Sequence, residues 1–468
     1  MCSVPLIKQQ IENLLKFLEP FLGFANCHMV DFFTNSCYKN FVPSDIQREI
    51  NEIGEANLVN LLFRDELDGA PSLKTFSENS VKFTLKNTEV CLGVDTLITA
   101  LQDWGCDNFD KFKLEMFMTA KKSHEVEVLS AVAASISEVS KTSHVVDLGD
   151  GKGYLSSMLA LHNKIAVLGV DASNINTCGA IKRVNKLSKV WNNIPNAPHK
   201  SYPKKNQNSE TMNVNLYKQV TQFVDEDFDL ESLIVENFET TPLPLQLGLV
   251  GLHTCGNLAP NSLKIFVKNN DVKTVCNVGC CYHLITERFD ESNDCDRDIG
   301  FPMSDFLTKK RLSIGRSARM IANQSVERIL QSKELPNITI FYRALLQVIL
   351  ERFCRELPTK HVGRFKKLPE SFHDYVRIAL KRIEVDINIT DEQIQEFYLS
   401  YEKRLNEVNL FYLLRCKLSP VIESLILLDR LLYLKERGFE EAFLVRFFDP
   451  VVSPRCYGIV ALKDVFNK

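Results

Sequence analysis

Three short runs carry residue types that could do chemistry. The first reads Val145-Val146-Asp147-Leu148-Gly149-Asp150-Gly151-Lys152-Gly153-Tyr154. Glycines at alternate positions after an apolar run allow a tight turn whose backbone a ligand can approach, and the N–H groups of a following helix face it. Asp171 closes the next apolar run, where a carboxylate can accept both hydroxyls of an adenosine ribose. A dinucleotide fingerprint would need its third glycine where Tyr154 stands, which disfavours NAD and FAD. Asp147 precedes the first glycine by two residues, a place where an acid can hold the amino group of a methionine moiety. The ligand read from these residues is therefore S-adenosyl-L-methionine, held by Asp147, Gly149, Asp150, Gly151, Gly153 and Asp171. The plain alternative is a sharp αβ turn with no ligand.

The second and third runs are His253-Thr254-Cys255-Gly256-Asn257-Leu258 and Gly279-Cys280-Cys281-Tyr282-His283, each following an apolar strand-like segment. In an open parallel sheet, ligands gather beyond the carboxyl ends of the strands, so both runs should face the cofactor and the acceptor. An imidazole titrates near neutral pH, which makes His253 a candidate to orient the acceptor or take its proton. Cys280 is the second catalytic candidate, with Cys255 and Cys281 shaping the pocket. Cys276, Cys280, Cys281, His283 and Cys295 are close in sequence but lack the paired Cys-x-x-Cys knuckles of structural zinc. Ordinary buried thiols are the leading reading, and no metal is expected. The Asn/Asp-Pro-Pro-aromatic loop of adenine N6 methylation is absent at the corresponding place. A fourth group, Lys121, Lys122, His124 and Glu125, lies just before the first core strand. Lys122 and His124 are candidates to reach the cofactor carboxylate or the acceptor; the alternative is a merely decorated helix start, where two lysines oppose the helix dipole.

The elements that must position these runs follow from periodicity. A helix starting near Ser123, a strand over 145–148, a helix through Leu155, Leu159 and Leu161 and a strand over 165–170 make a βαβ unit, hence a parallel sheet covered on both faces. Residues 192–211 are rich in Asn, Pro, Lys and Ser and read as a surface excursion without a fixed fold. Strands follow over 249–252 and 272–278, then helices over 306–330, 338–357, 372–383 and 391–436, the last broken into two at Pro420. The chain closes with strands over 442–448 and 457–462. Four parts are expected: a helical N-terminal lobe over 1–115, a core over 116–304, a helical insertion or lid over 305–440, and a strand pair over 441–468 that completes the core.

The chain has 468 residues, a formal net charge of −3, and 45% hydrophobic and 25% charged residues, ordinary values for a globular protein. A generic polyanion binder is excluded, so any nucleic-acid contact must come from local patches. Two basic clusters qualify: Lys309, Lys310, Arg311, Arg316 and Arg319, then Lys360, Arg364, Lys366 and Lys367. Fourteen cysteines in a chain of this length read as reduced thiols rather than a disulfide framework. No apolar run approaches the length of a bilayer, and a cytoplasmic location is expected.

Taken together, these residues resemble the methyltransferase-like protein 25 family and a related protein labelled ribosomal RNA adenine dimethylase domain-containing. The resemblance rests on Lys121-Lys122-x-His124-Glu125, the 147–153 loop, Gly251-Leu252-His253-x-Cys255-Gly256 and Val278-Gly279-Cys280-Cys281-Tyr282-His283. It extends to Gly300-Phe301-Pro302-Met303-Ser304 and Phe448-Asp449-Pro450-x-x-Ser453-Pro454-Arg455. It implies an α/β, Rossmann-like class I methyltransferase with a mixed sheet, whose last two strands form an antiparallel hairpin at the sheet edge. Asn257 stands where that family often carries an acid. The His-x-Cys-Gly and Cys-Cys-x-His pair is also similar to a tRNA ribose methyltransferase. The acceptor is therefore read as RNA, with a protein substrate or a cofactor-binding scaffold as alternatives.

Overall fold

The computed structural model describes residues 2–64, 66–107, 109–194, 216–239, 244–290, 298–354, 356, 360–365 and 367–464. Among the described residues eight strands make one sheet: β1 (Cys91–Gly93), β2 (His144–Leu148), β3 (Ala166–Asp171), β4 (Tyr217–Thr221), β5 (Leu247–Cys255), β6 (Val272–Cys280), β7 (Ala442–Arg446) and β8 (Tyr457–Leu462). Their order is β1-β7-β8-β6-β5-β2-β3-β4. All neighbours are parallel except β8, which runs antiparallel to both β6 and β7. The chain thus adopts the Rossmann-like α/β fold with a mixed sheet. Every residue of β2 and of β8 is buried, as befits strands covered on both faces.

Four helices position the site. Helix α1 (Ala120–Val139) packs on β5 and β6, α2 (Tyr154–Leu161) on β3, α3 (Asn174–Val190) on β3 and β4, and α4 (Leu258–Lys268) on β5 and β6. Helix α1 begins earlier than the periodicity indicates: the side chain of Thr119 accepts a hydrogen bond from the Lys122 N–H at 3.3 Å and caps it.

Several expectations are corrected. The antiparallel strand pair is present, but β7 is not the edge. β1, from the segment read as mainly helical, pairs parallel with β7 and covers it, and at three residues it is too short to show an alternation. β4 was not expected either; it follows the 192–211 segment, most of which lies outside the described residues. The run over 306–330 is three short helices, Asp305–Lys309, Arg316–Ile321 and Val326–Ser332. Pro420 does not split the last helix: Leu405–Glu436 is continuous with Pro420 inside it. Burial on nearly all sides from Glu407 to Lys435 holds this helix together where its propensity alone would not. The Thr390–Gln393 capping box forms as read.

The chain divides into two compact units, Met1–Leu14, Thr84–Ser325 and Glu423–Lys468 in the first, Leu15–Phe83 and Val326–Ile422 in the second. The expected boundaries at 115, 305 and 440 do not coincide with these. The first unit holds the whole sheet. The second is helical, its core built on edge-to-face rings such as Phe24 and Phe32 against Phe411. Here Cys27 and Cys37 are joined by a disulfide, an exception to the thiols expected throughout. Among the described residues no helix is long and apolar enough to cross a membrane.

Candidate functional site

The carboxyl ends of β2, β3 and β5 border a cavity of about 680 Å³, within the usual size for a small-molecule site. Of the residues singled out by sequence, Lys122, Gly149, Asp150, Gly151, Asp171 and His253 line it. His124, Asp147, Gly153 and Cys280 do not, although all four lie in elements that adjoin it.

Gly149, Gly151 and Gly153 all have positive φ, at 77°, 61° and 66°, a conformation that disfavours any side chain. Gly153 is additionally enclosed: a Cβ there would stand 2.3 Å from the Tyr217 hydroxyl. Gly151 is the open one, since a Cβ would meet only the Gly149 carbonyl at 3.8 Å. Ligand atoms can therefore approach the backbone at Gly151. Asp171 ties this loop to β3, its carboxylate accepting from the Gly151 N–H at 3.0 Å, the Ser173 N–H at 2.8 Å and the Asn176 amide at 3.1 Å.

Asp147 and Asp150 form a buried pair beneath the loop. The Ser156 hydroxyl lies 2.8 Å from the Asp147 carboxylate and 2.6 Å from that of Asp150, and Tyr217 donates to Asp150. One hydroxyl proton cannot satisfy two carboxylates at once. Burial first, and the mutual repulsion of the pair for Asp147, push both carboxyls above their ordinary range. Asp147 is thus a supporting group of the loop and not a lining residue. The sequence missed its partners: Tyr217 sits on an unforeseen strand, and Gly169 leaves the room for Asp150, since a Cβ there would stand 2.4 Å from Asp150 Oδ2.

Glu125 is the centre of the opposite wall, and it is fully buried. Its carboxylate takes the His253 Nε2 at 3.0 Å, the Ser453 hydroxyl at 2.6 Å and the Lys122 ammonium at 3.0 Å, with Lys121 at 3.6 Å. Burial would raise its pKa, but His253, Lys122 and Ser453 together outweigh it and pull the value down to about 2. The two lysines that oppose the dipole of α1 are explained by this anion one turn on. His124 serves elsewhere: its Nε2 accepts from the Asp449 N–H at 3.3 Å, and its ring meets Phe448 edge-on.

His253 occupies a bulge in β5. The register passes from Leu252↔Val278 to Thr254↔Gly279, leaving His253 unpaired, with φ at 68°. A non-glycine residue in this conformation is strained, and here the bond to Glu125 holds it. The bulge turns the imidazole to the cavity and the His253 carbonyl to three thiols. Cys255, Cys280 and Cys281 have sulfurs 3.2, 3.2 and 3.6 Å apart, and the carbonyl lies 3.3 Å from the Cys280 sulfur and 3.5 Å from that of Cys255. A hydrogen bond from Cys280, with further help from Cys281 and His253, lowers the Cys255 thiol to about 6, whereas Cys280 is pushed upward by the same bond and by burial. Cys276 is buried in the sheet away from this trio, and Cys295 lies outside the described residues. Asn257 holds the cavity rim: its amide donates to Thr286 Oγ1 at 2.9 Å and Asp298 Oδ2 at 3.0 Å.

Segments far apart in sequence meet around this wall. Ser453 reaches Glu125, Arg455 binds Glu423 at 3.2 Å, Glu423 receives the Tyr282 hydroxyl at 2.8 Å, and Asp429 receives the Met303 and Ser304 N–H groups at 2.7 and 2.9 Å.

Comparison with known proteins agrees with this geometry. Residues 121–288 match the family described as "Methyltransferase domain". The span runs from Lys121 on α1 past both β5 and β6. The human protein named "Probable methyltransferase-like protein 25" is 31% identical, over 98% of this chain and 98% of its own length. The mouse protein of the same name is 30% identical, over 98% of this chain and 97% of its own. The matched span thus holds every residue lining the cavity except Asp298, and the chain belongs to the methyltransferase-like protein 25 family.

Proposed function

We propose that the chain is an S-adenosyl-L-methionine-dependent methyltransferase acting in the cavity beside Gly151 and Asp171, with RNA as its acceptor. The observation that carries this reading is the pairing of an open, left-handed glycine with a carboxylate on the adjacent strand end, at the mouth of a ligand-sized space. The loop fits the group: Gly151 admits the ligand, and Asp171 offers its carboxylate to the ribose hydroxyls. Lys122 lines the same space and can attract the carboxylate of the amino-acid tail. Bound cofactor supplies a methyl group on a sulfonium, which passes in line to a nucleophilic atom of the acceptor as the carbon–sulfur bond breaks.

The chain's own residues then have two tasks. His253 orients the acceptor and receives its proton. With Nε2–H directed at Glu125, the ring presents Nδ1 as acceptor, and the Glu125 anion stabilises the imidazolium that results. Cys255 and Leu284 help wall off water.

For the acceptor, support comes from the second unit. Its 830 Å³ cleft is lined by Arg343, Lys360, His361 and Arg364 together with Phe365 and Tyr375. Cations interleaved with rings suit phosphates and unstacked bases. In the other basic cluster Arg319 is unavailable, being buried and bound to Glu287 at 2.7 Å. Methyl-labelled cofactor incubated with the protein and cell extract, then treated with RNase or protease, tests the reading. Label lost to RNase supports it; label lost only to protease replaces RNA by a protein acceptor. No label despite calorimetric cofactor binding would make the chain a scaffold.

A further inference from the structure

The three thiols at the ends of β5 and β6 take no chemical step in the reaction above, where Cys255 serves only as part of the wall. We propose that Cys255, Cys280 and Cys281 bind one Zn²⁺ as a three-thiolate site whose fourth position opens to the cavity.

The geometry comes first. Zinc–thiolate bonds of about 2.3 Å in a tetrahedron place sulfurs about 3.8 Å apart. The three sulfurs stand 3.2, 3.2 and 3.6 Å apart, so small rotations about the side-chain bonds admit the ion. Their spacing in sequence hides the site, because two ligands are adjacent and the third comes from the neighbouring strand. The backbone is shaped for it as well. His253 bulges at φ 68° and Cys281 turns at φ 52°, two left-handed non-glycine residues that bring the sulfurs to one point.

Charge supports the same assignment. Three thiolates and Zn²⁺ leave one negative charge, which a buried site must offset. Arg430 is 2% exposed, packs on Gly279 beside Cys280, and has Nε and Nη2 without a hydrogen-bond partner. Asp429 and Glu423 already share the field of this guanidinium, but no hydrogen bond reaches its Nε or Nη2, so a further anion beside Gly279 would lower the cost of burying it. Arg455, also buried, lies on the Cys281 side, and both guanidinium groups approach the Tyr282 ring, at 5.8 and 5.9 Å.

No other His, Cys, Asp or Glu among the described residues joins the trio. Of the three sulfurs only that of Cys255 reaches the cavity wall. Zinc sites with three protein ligands keep the fourth position for water or a substrate atom. On binding, three Zn–S bonds form and each thiol still protonated gives its proton to solvent, with no change of oxidation state.

The full chain, stripped with chelator under reductant and dialysed against Zn²⁺, should retain about one equivalent by elemental analysis. Co²⁺ in its place should give the intense visible bands and thiolate charge-transfer absorption of a tetrahedral sulfur site. The double variant Cys255→Ser/Cys281→Ser should lose both signals while Cys178→Ser, at an exposed lone thiol, keeps them. The cobalt spectrum of the unmodified chain needs no variant to fold. Wild-type protein with reduced thiols that retains no zinc, a cobalt spectrum without thiolate bands, or retention unchanged in the double variant would each overturn the site.

Discussion

Two buried acid centres flank one cavity and behave in opposite ways. Under the glycine loop, Asp147 and Asp150 share a serine hydroxyl, Asp150 also takes a tyrosine hydroxyl, both neutral donors, and the two pKa values rise. Glu125 on the other wall is also buried, yet two lysines, a histidine and a serine converge on it and its pKa is lowered. Burial therefore does not set the sign; the charge of the surrounding donors does. The consequence is a division of labour. One side favours the protonated carboxyl and shapes backbone, and the other presents an anion behind an imidazole.

Glu125→Ala should produce the largest effect, because it strands Lys122 and removes the anchor of the strained His253 bulge. A loss of about 3–5 kcal/mol is expected from urea unfolding, and Glu125→Gln should recover part of it. A loss below about 1 kcal/mol would show that the bulge does not depend on the anion. Gly153→Ala strikes the other side. With φ at 66° and Tyr217 in the way, it should cost about 2 kcal/mol and open the Tyr217–Asp150 bond, read in the same titration.

Asp171→Ala tests the cavity itself: cofactor affinity by calorimetry should fall about 10- to 100-fold, with a loss of about 1–2 kcal/mol in urea unfolding because the Gly151 and Ser173 N–H groups lose their acceptor. An unchanged affinity would remove the ribose role. The smallest effect concerns pH. The raised carboxyls of Asp147 and Asp150 bind protons more tightly folded than unfolded, so their contribution is greatest in acid and declines as pH rises through the raised values. Glu125 does the reverse, contributing above its unfolded value and losing that contribution only as pH falls toward about 2. Acidification should therefore strengthen the pair's contribution, against the opposing slope of the lowered Cys255 thiol, and Asp150→Asn should remove the pair's share from the pH slope of urea midpoints. A slope that persists in Asp150→Asn would mean the proton is held elsewhere.

What sequence reveals of the two sides differs for a physical reason. The glycine loop and Asp171 are local: a strand, a turn and a strand end fix them by spacing, and they lie at the cavity as read. Glu125 looked like a helix-end carboxylate because its partners, His253 and Ser453, come from other strands and loops and only the fold unites them. Asp147 was read as a ligand for the same reason in reverse, since Ser156 and Tyr217 claim the space around it. The bulge at His253 leaves no trace in a run of apolar residues, and the thiol trio is split between two strands. The boundaries of β8 and the capping box at Thr390 were plain, being set by neighbours in the chain.

The position of β8 bears on how the molecule is made. β1 pairs only with β7, Leu92 opposite Val445, and β7 joins β6 only through β8. During synthesis on the ribosome, β1 and the outer edge of β6 must wait unpaired until β7 and β8 emerge. Nascent chains arrested before Tyr457 should therefore hold β6 as a bare edge, a natural binding surface for chaperones.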